Sequence, residues 1–278
     1  VSQFIPLVET AGASEVLAAA VAGETIGALA YAEQGRWEPT AVTTTATRAG
    51  DGWTVTGAKD AVLAGATAEV FAVVARDGDQ LGVFLVERGA CSVTTKTLLD
   101  PGLELADVEF ADSAAVVLLA PGPEAVAAIE AVTQQASVAM ALHVIGTCRK
   151  IFEDTLEYAK VREQYDRVIG SFQALKHRFA ELYLAVERAN AVGYYAALAI
   201  EEDADSKDEA VHVAKAAAGD CQRLLAEDGL QLHGGIGYTW ENDLHFLLKR
   251  AKSGDALCGS RAFHRARLAA LLGLGEAA

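Results

Sequence analysis

Residues 52–87, GWTVTGAKDAVLAGATAEVFAVVARDGDQLGVFLVE, indicate that the first half of the chain is built from strands. The runs are short, rich in Val and Thr and partly alternating, and Gly/Asp turns bound them at 49–52 and 76–79. Similar runs lie at 26–33, 41–49 and 92–98. Strands this closely spaced, with no helix between them, predict an antiparallel sheet or small barrel and argue against a Rossmann domain.

Helical patterns lie on both sides of this region, which we expect to close near residues 109–112. Before it, residues 12–22 predict a short helix with Ser14 as its N-cap. After it, a helix is predicted from Pro123 to Lys160, and Ser171 is a candidate N-cap for the next one. The apolar stripe of that next helix is Phe172, Leu175, Phe179, Leu182, Val186 and Ala189. Three further helices are predicted at about 207–232, 241–253 and 258–272.

Four to five long helices with short connections predict a bundle. The fold class is therefore α+β, with an antiparallel β domain followed by a C-terminal four-helix bundle and a boundary near residues 115–122.

The amino-acid composition and net charge argue against some classes of function. The chain has 278 residues, 52% of them hydrophobic, and a formal net charge of −15. This balance argues against nucleic-acid binding and against general attraction to anionic membranes. The four cysteines show no C-x-x-C pair, and the first residues lack a secretory signal, so the cytoplasm is the expected compartment.

Three short constellations are candidates for chemistry. The first contains Arg162, Tyr165 and Gln173, the last of which lies at the predicted start of a helix. An arginine beside a helix N-terminus can bind an anion, although a surface turn with charged residues explains the spacing equally well. The second is Gln231 with Gly234 and Gly235, which permits close backbone approach to a ligand or forms an ordinary helix end.

The third constellation is residues 255–260, DALCGS, before the last helix. Here Cys258 is a candidate nucleophile without an evident His partner, so a small buried residue is the simpler interpretation. His143, His177, His212 and His264 lie in helical sequence without metal-ligand spacing.

Two of these segments resemble the acyl-CoA dehydrogenase family. Residues 162–183, REQYDRVIGSFQALKHRFAELY, are similar to its R-x-x-F-G…F-Q…A-[ED]-[ML] segment. Residues 231–252, QLHGGIGYTWENDLHFLLKRAK, are similar to its Q-x-x-G-G-x-G-Y…R-D-A-K segment. The stretch 50–76 matches more loosely the family's G-x-K-x-W-I-T-N pattern.

The resemblance implies three regions: residues 1–22 as the remnant of an N-terminal helical domain, 23–118 as a middle β domain and 119–278 as the bundle. It also implies FAD as cofactor. In this family a carboxylate removes the α-proton of an acyl-CoA while the flavin accepts a hydride from the β-carbon. The residues that match the family's contacts to the dinucleotide are Arg162, Tyr165, Gln173, Gln231, Gly234 and Gly235.

The catalytic positions depart from the family pattern. The usual Glu of the Y-E-G-T segment is replaced by Cys258, and the alternative position in the first bundle helix falls near Ala136, with no acid adjacent. The acids Glu241 and Asp255 are expected to be capping or surface residues. The flavin-flanking Trp-x-Thr falls on Ala61-Val62-Leu63.

This pattern implies a subunit without a catalytic residue of its own that completes the FAD site of a catalytic partner. It resembles bacterial α2β2 acyl-CoA dehydrogenases of steroid degradation, a branch of lipid metabolism. An electron-transfer flavoprotein or similar acceptor is expected. Two alternatives stay open: a self-sufficient homo-oligomeric dehydrogenase with an unusual base, and a degenerate scaffold or regulatory paralogue.

Overall fold

The computed structural model describes residues 3–275, and the chain divides between Ala136 and Ser137 into two compact units. The first unit opens with helices α1 (Phe4–Thr10) and α2 (Ser14–Ala22). The sequence did not predict α1, although its Phe4 is fully buried. The prediction of Ser14 as N-cap was wrong: Ala13 occupies the cap position and Ser14 is the first helical residue, because the chain has already turned at Gly12, whose φ is +67°.

The strands of the first unit pair with their neighbours to form a closed ring. They are β1 (Gly27–Ala30), β2 (Thr45–Ala49), β3 (Gly52–Leu63), β4 (Val70–Asp77), β5 (Gln80–Glu87), β6 (Ser92–Thr95) and β7 (Leu105–Leu119). The order is β1-β4-β2-β3-β7-β5; β5 also pairs with β4, and β6 pairs with β7.

We expected an antiparallel sheet or small barrel. The strands do close into a ring, but their pairing is not antiparallel throughout, because β1 and β2 both run parallel to β4. The β2–β3 hairpin separates β1 from β4 in sequence, and this longer connection lets the chain return to β4 in the same direction as β1.

The end of strand β7 is the boundary that was predicted least accurately from the sequence. We expected the β region to close at residues 109–112, but the strand continues to Leu119 and pairs with β5 through residues 116–119. The misleading signal is Asp112, which adopts φ +51° inside the strand and so resembles a turn residue in sequence.

Two apolar clusters stabilise the first unit. One lies inside the ring of strands, where Trp53 packs on Phe84 with ring centroids 5.1 Å apart. The other includes Phe4 and Leu7 of α1 together with Ile129 of the following long helix.

The second unit is helical. Its elements are α3 (Pro123–Val161), which begins in the first unit, then β8 (Glu163–Gln164), β9 (Arg167–Val168), α4 (Gln173–Glu201), α5 (Lys207–His233), α6 (Leu244–Ala256) and α7 (Arg261–Leu271). Ser171 does not cap α4 as predicted: it lies in a 3₁₀ turn, its hydroxyl donates to the Val168 carbonyl, and Phe172 takes the cap position.

The predicted stripe of α4 is the core face, since Phe179, Leu182, Val186 and Ala189 are all buried. Helix α3 is long and apolar enough to span a membrane by length and composition, but its Ile145, Cys148 and Ile151 lie in the core of the bundle. The division into regions 1–22, 23–118 and 119–278 remains a prediction.

Candidate cofactor site

The first predicted segment is a small hairpin at the end of α3. Arg162 follows the last residue of the helix, β8 and β9 pair antiparallel, and Tyr165 and Asp166 form the turn with φ of 56° and 59°. Two consecutive positive φ values are typical of a type I′ turn, which fits the twist of a two-residue hairpin. Asp accepts this backbone region readily, whereas Tyr rarely does.

The side chains of this segment point into solvent. Arg162 is exposed, and its guanidinium has no ion pair with any residue in the range 3–275. The ring of Tyr165 is 88% exposed and meets Phe172 edge-on at 6.2 Å. Gln173 is the first residue of α4, and its amide lies 3.3 Å from the Nε2 atom of His177. A free guanidinium and a nearby amide at a helix start can hold an anion.

The second predicted segment ends α5. Gln231 is exposed in the last turn of the helix, and Gly234 terminates it with φ 65° and ψ −144°, a combination that only glycine adopts easily. A Cβ atom at Gly234 or at Gly235 would meet nothing within 4 Å. The backbone here is therefore open to a ligand.

Both segments are fixed to the last turns of α3. The ring of Tyr158 in α3 stacks on His233 at the end of α5, with centroids 4.6 Å apart and planes at 16°. Gly170 of the hairpin segment packs so closely on α3 that a Cβ atom would lie 2.8 Å from the Ala159 carbonyl. The structure thus brings all six predicted cofactor residues to one end of the bundle.

The third segment, around Cys258, lies elsewhere. Its turn is held by Lys215 of α5, whose Nζ donates to the carbonyls of Gly254, Asp255 and Gly259 at 3.2, 2.9 and 2.8 Å. Lys215 precedes Gln231 by 16 residues on the same helix, which corresponds to roughly 24 Å along the axis at 1.5 Å per residue. The Cys258 turn and the Gln231 segment are therefore at different levels of the bundle.

Lys215 is fully buried and keeps its proton at neutral pH. Burial lowers the pKa of its ammonium to about 8, partly opposed by Cys258 and Asp255. A cation that is surrounded by carbonyl oxygens at the end of α6 is stabilised by their dipoles. Lys215 therefore clamps the turn through hydrogen bonds to carbonyl oxygens.

A histidine pair holds the same turn from the other side. The Nε2 atom of His264 lies 2.8 Å from the Cys258 carbonyl, so it donates, and the Nδ1 atom must then accept. The donor to Nδ1 is the Nδ1–H group of His212, 2.9 Å away. Burial lowers the pKa of His264 to about 3, which keeps this ring neutral.

Asp255 was predicted to be a capping or surface acid, but it is only 7% exposed, and its Oδ1 atom is buried with no hydrogen-bond partner among residues 3–275. This carboxylate faces α5, since a Cβ atom at Gly219 would lie 2.4 Å from Oδ1. The tight fit at Gly219, which has no side chain, is what allows Asp255 to fold inwards.

Comparison with known proteins identifies the family. Residues 126–273 match the acyl-CoA dehydrogenase C-terminal domain, more than half of the chain. The chain belongs to the acyl-CoA dehydrogenase family. The family consists of FAD-dependent oxidoreductases.

Three matches, one to a curated protein and two to solved structures, illustrate the similarity. IpdE2 of Mycobacterium tuberculosis is 40% identical over 129 residues, 46% of this chain and 39% of the relative. The ChsE4–ChsE5 complex from Mycobacterium tuberculosis matches with 26% identity and a TM-score of 0.82. A steroid acyl-CoA dehydrogenase, Tcur3481–Tcur3483 (G363A variant), matches with 27% identity and a TM-score of 0.83. Each of these two matches covers 94% of this chain and 70% of the other. The chain spans well under half of the length of IpdE2.

The positions that the resemblance predicts beside the flavin ring, residues 61–63, carry neither an indole nor a hydroxyl group. Val62 is 2% exposed and belongs to the core of the strands. The preceding Ala61 has φ +51°, and its N–H donates to the Asp107 carboxylate at 3.3 Å. Instead of an indole and a hydroxyl, this strand offers small apolar side chains.

Sequence reasoning missed the buried lysines, Lys59 and Lys215. Lys59 lies on β3 and donates to Glu33 at 2.6 Å and to the Tyr31 carbonyl at 3.2 Å. A signal for Lys215 was available, because its neighbours Val211, Ala214 and Ala218 are apolar at helical spacing and all buried. A lone lysine within such a stripe indicates a buried cation.

Proposed function

We propose that this chain is the cofactor-completing subunit of a heteromeric acyl-CoA dehydrogenase. The observation that carries the proposal is a contrast between two levels of the bundle. At one level, Arg162, Gln231 and the backbone at Gly234 are exposed and free to bind a dinucleotide. At the other, the family's usual base position is occupied by a buried cysteine, Cys258, in a clamped turn.

The exposed residues fit the pyrophosphate of FAD. The Arg162 guanidinium can form paired hydrogen bonds to phosphate oxygens, and the amides of Gln173 and Gln231 can donate further bonds. The open backbone at Gly234 and Gly235 lets the dinucleotide approach without meeting a side chain. Bound FAD supplies the two-electron acceptor for α,β-dehydrogenation, and these residues only hold it.

Two groups lie near the position of the family's usual catalytic base, the Asp255 carboxylate and the Cys258 thiol. Neither is suited to removing a proton from the substrate. Cys258 is 6% exposed and lies in a turn that Lys215 and His264 hold in place, so little of its thiol can reach a substrate. The carboxylate of Asp255 faces Gly219, towards the interior of the bundle. The base is therefore assigned to a partner subunit.

A heteromer of the α2β2 type is supported by the two-component names of the matched structures. ChsE4–ChsE5 is described as a complex, and Tcur3481–Tcur3483 as a steroid acyl-CoA dehydrogenase. We infer a steroid-CoA thioester as the substrate of the assembly and an electron-transfer flavoprotein or similar acceptor. A cytoplasmic location and the absence of nucleic-acid and membrane partners remain predictions.

Flavin stoichiometry tests the proposal. The chain is purified alone and after co-expression with the acyl-CoA dehydrogenase-like protein encoded nearest to it, and flavin absorbance is compared with protein concentration. We expect no flavin on the chain alone and one FAD per heterodimer. Stoichiometric flavin on the lone chain that is bleached by an acyl-CoA would show a complete enzyme instead.

Three variants of the co-expressed complex, one of them a control, separate cofactor binding from chemistry. Arg162→Ala should weaken FAD retention by roughly tenfold or more, because a charge-assisted hydrogen bond to phosphate is lost. Arg188→Ala, an exposed arginine on α4, is the matched control and should retain FAD. Cys258→Ala should leave turnover nearly unchanged, and loss of activity in this variant would contradict the assignment of the base to the partner.

A further inference from the structure

One pair of aromatic rings joins the last turn of α3 to the last turn of α5. The ring of Tyr158 stacks on that of His233, with centroids 4.6 Å apart and planes at 16°. His233 is the last residue of α5, is only 5% exposed and directly precedes Gly234. Tyr158 precedes Arg162 by about one turn of helix. Each ring therefore lies beside one of the two segments that we assign to the dinucleotide.

The orientation of His233 is fixed by its own helix. Its Nδ1 atom lies 2.8 Å from the Gly229 carbonyl oxygen, which can only accept, so Nδ1 carries a proton and donates. Gly229 also brings α3 and α5 close together, because a Cβ atom there would lie 2.8 Å from the Cγ2 atom of Ile151. The imidazole is therefore a fixed surface against which Tyr158 packs.

Backbone hydrogen bonds connect the stack to both segments. The N–H group of Arg162 donates to the Tyr158 carbonyl at 2.9 Å, and the N–H group of Ile169, just after β9, donates to the Arg162 carbonyl at 2.8 Å. On the other side, the N–H group of Gly234 donates to carbonyls in the last turn of α5, which His233 completes. A displacement of either ring would therefore move the segment to which it is bonded.

We propose that Tyr158 and His233 are positioning residues, whose stack sets the distance and angle between the hairpin segment at 162–170 and the turn at 231–235. Neither ring needs to touch the ligand. Their effect is to hold the two segments in an arrangement that one ligand can contact at the same time, so that binding does not have to order them. This inference deepens the proposed function and rests on it for the identity of the ligand, FAD.

The first test measures the arrangement of the two segments and needs no flavin. Nitroxide labels are attached to Gln164→Cys in the hairpin and to Glu227→Cys near the end of α5, two exposed positions. The full-length chain also carries Cys91→Ser, which removes the half-buried thiol and leaves the three buried ones. Pulsed electron paramagnetic resonance should give one narrow distribution of distances between the labels.

Variants of the two rings separate the stack from the rest of the site. His233→Asn keeps an N–H donor at the position of Nδ1, so the hydrogen bond to Gly229 can form while the ring is lost. We expect the distance distribution to shift or broaden in His233→Asn and in Tyr158→Leu, and to be retained in Tyr158→Phe. Tyr183→Leu, which removes a ring that contacts Phe152 of α3 outside both segments, is the control that should leave the distribution unchanged.

The second test measures FAD affinity in the co-expressed complex. The energy of a stacked pair corresponds to a roughly twofold to tenfold change in a dissociation constant, so His233→Asn and Tyr158→Leu should each weaken FAD binding by that factor. Because the two rings act through one contact, the double variant should bind no more weakly than the weaker single variant. Tyr158→Phe should bind FAD like the original chain. Full affinity in either ring-removing variant, or losses that add in the double variant, would overturn the proposal.

The positioning role and the proposed function fail separately. An unchanged distance distribution in His233→Asn and Tyr158→Leu overturns the positioning role, whatever the complex binds. A complex that contains no FAD contradicts the proposed function, and the label distances still decide whether the stack arranges the two segments. A loss of FAD affinity that follows a lowered midpoint of urea denaturation equally in Tyr183→Leu would assign the rings to stability alone and overturn the proposal.

Discussion

At the scale of the residue, backbone conformation identifies Gly234 as irreplaceable. Its φ of 65° with ψ of −144° lies outside the regions that residues with a Cβ atom populate. We expect Gly234→Ala to lower the free energy of unfolding by about 1–3 kcal/mol, measured by urea denaturation. Gly235→Ala is the matched control: Gly235 has no positive φ and equally open surroundings, so its loss should stay within about 0.5 kcal/mol. Equal effects at both positions would contradict this account.

At the scale of the element, the end of α6 and the turn that leads to α7 depend on side-chain donors from α5 and from α7 itself. Lys215 supplies three hydrogen bonds to it and His264 supplies one. Lys215→Met preserves the volume of the side chain but leaves three carbonyls without their donor. We expect a loss of about 2–4 kcal/mol in urea denaturation, with Lys150→Met, an exposed lysine on α3, as the control. A loss below about 0.5 kcal/mol would show that water replaces the ammonium.

At the scale of the whole molecule, each compact unit contains a buried lysine, and the charges of the two lysines are stabilised by different groups. Lys215 in the helical unit is surrounded by carbonyls, whereas Lys59 in the strand unit pairs with Glu33. Glu33 also accepts from the backbone and hydroxyls of Thr43 and Thr44. Burial would raise the pKa of Glu33, but the charge and hydrogen bond of Lys59, with those of the two threonines, outweigh it and lower the pKa to about 2.

Removing this carboxylate should therefore be costly. Glu33→Gln leaves the Lys59 cation buried without its counter-charge, and we expect a loss of about 3–5 kcal/mol, measured by urea denaturation followed through tryptophan fluorescence. Because the pKa of Glu33 is lower in the folded than in the unfolded chain, the advantage of the original protein should be complete above about pH 4.5 and disappear as the pH falls towards 2. Glu24→Gln, a surface acid of the same unit, should show neither effect. An advantage that persists at pH 2 would contradict the ion pair.

The sequence by itself predicted a region of strands followed by helices and the core stripe of α4, and its motifs singled out six candidate cofactor residues, whose role stays a prediction. Periodicity and short motifs are local properties, and residues such as Arg162 and Gln231 lie in motifs that can be read without a fold. Local patterns failed where the backbone departs from its usual region, as at Asp112, and at Ser14 and Ser171, where the neighbouring residue takes the cap position.

Only the tertiary structure decided which distant residues meet. It placed Tyr158 on His233 and so joined two motifs that are far apart in sequence. It turned Asp255 inwards and put Lys215 beneath the Cys258 turn. The physical reason is that a buried charge or carbonyl must find its partner in three dimensions, and sequence spacing does not specify which helix supplies it.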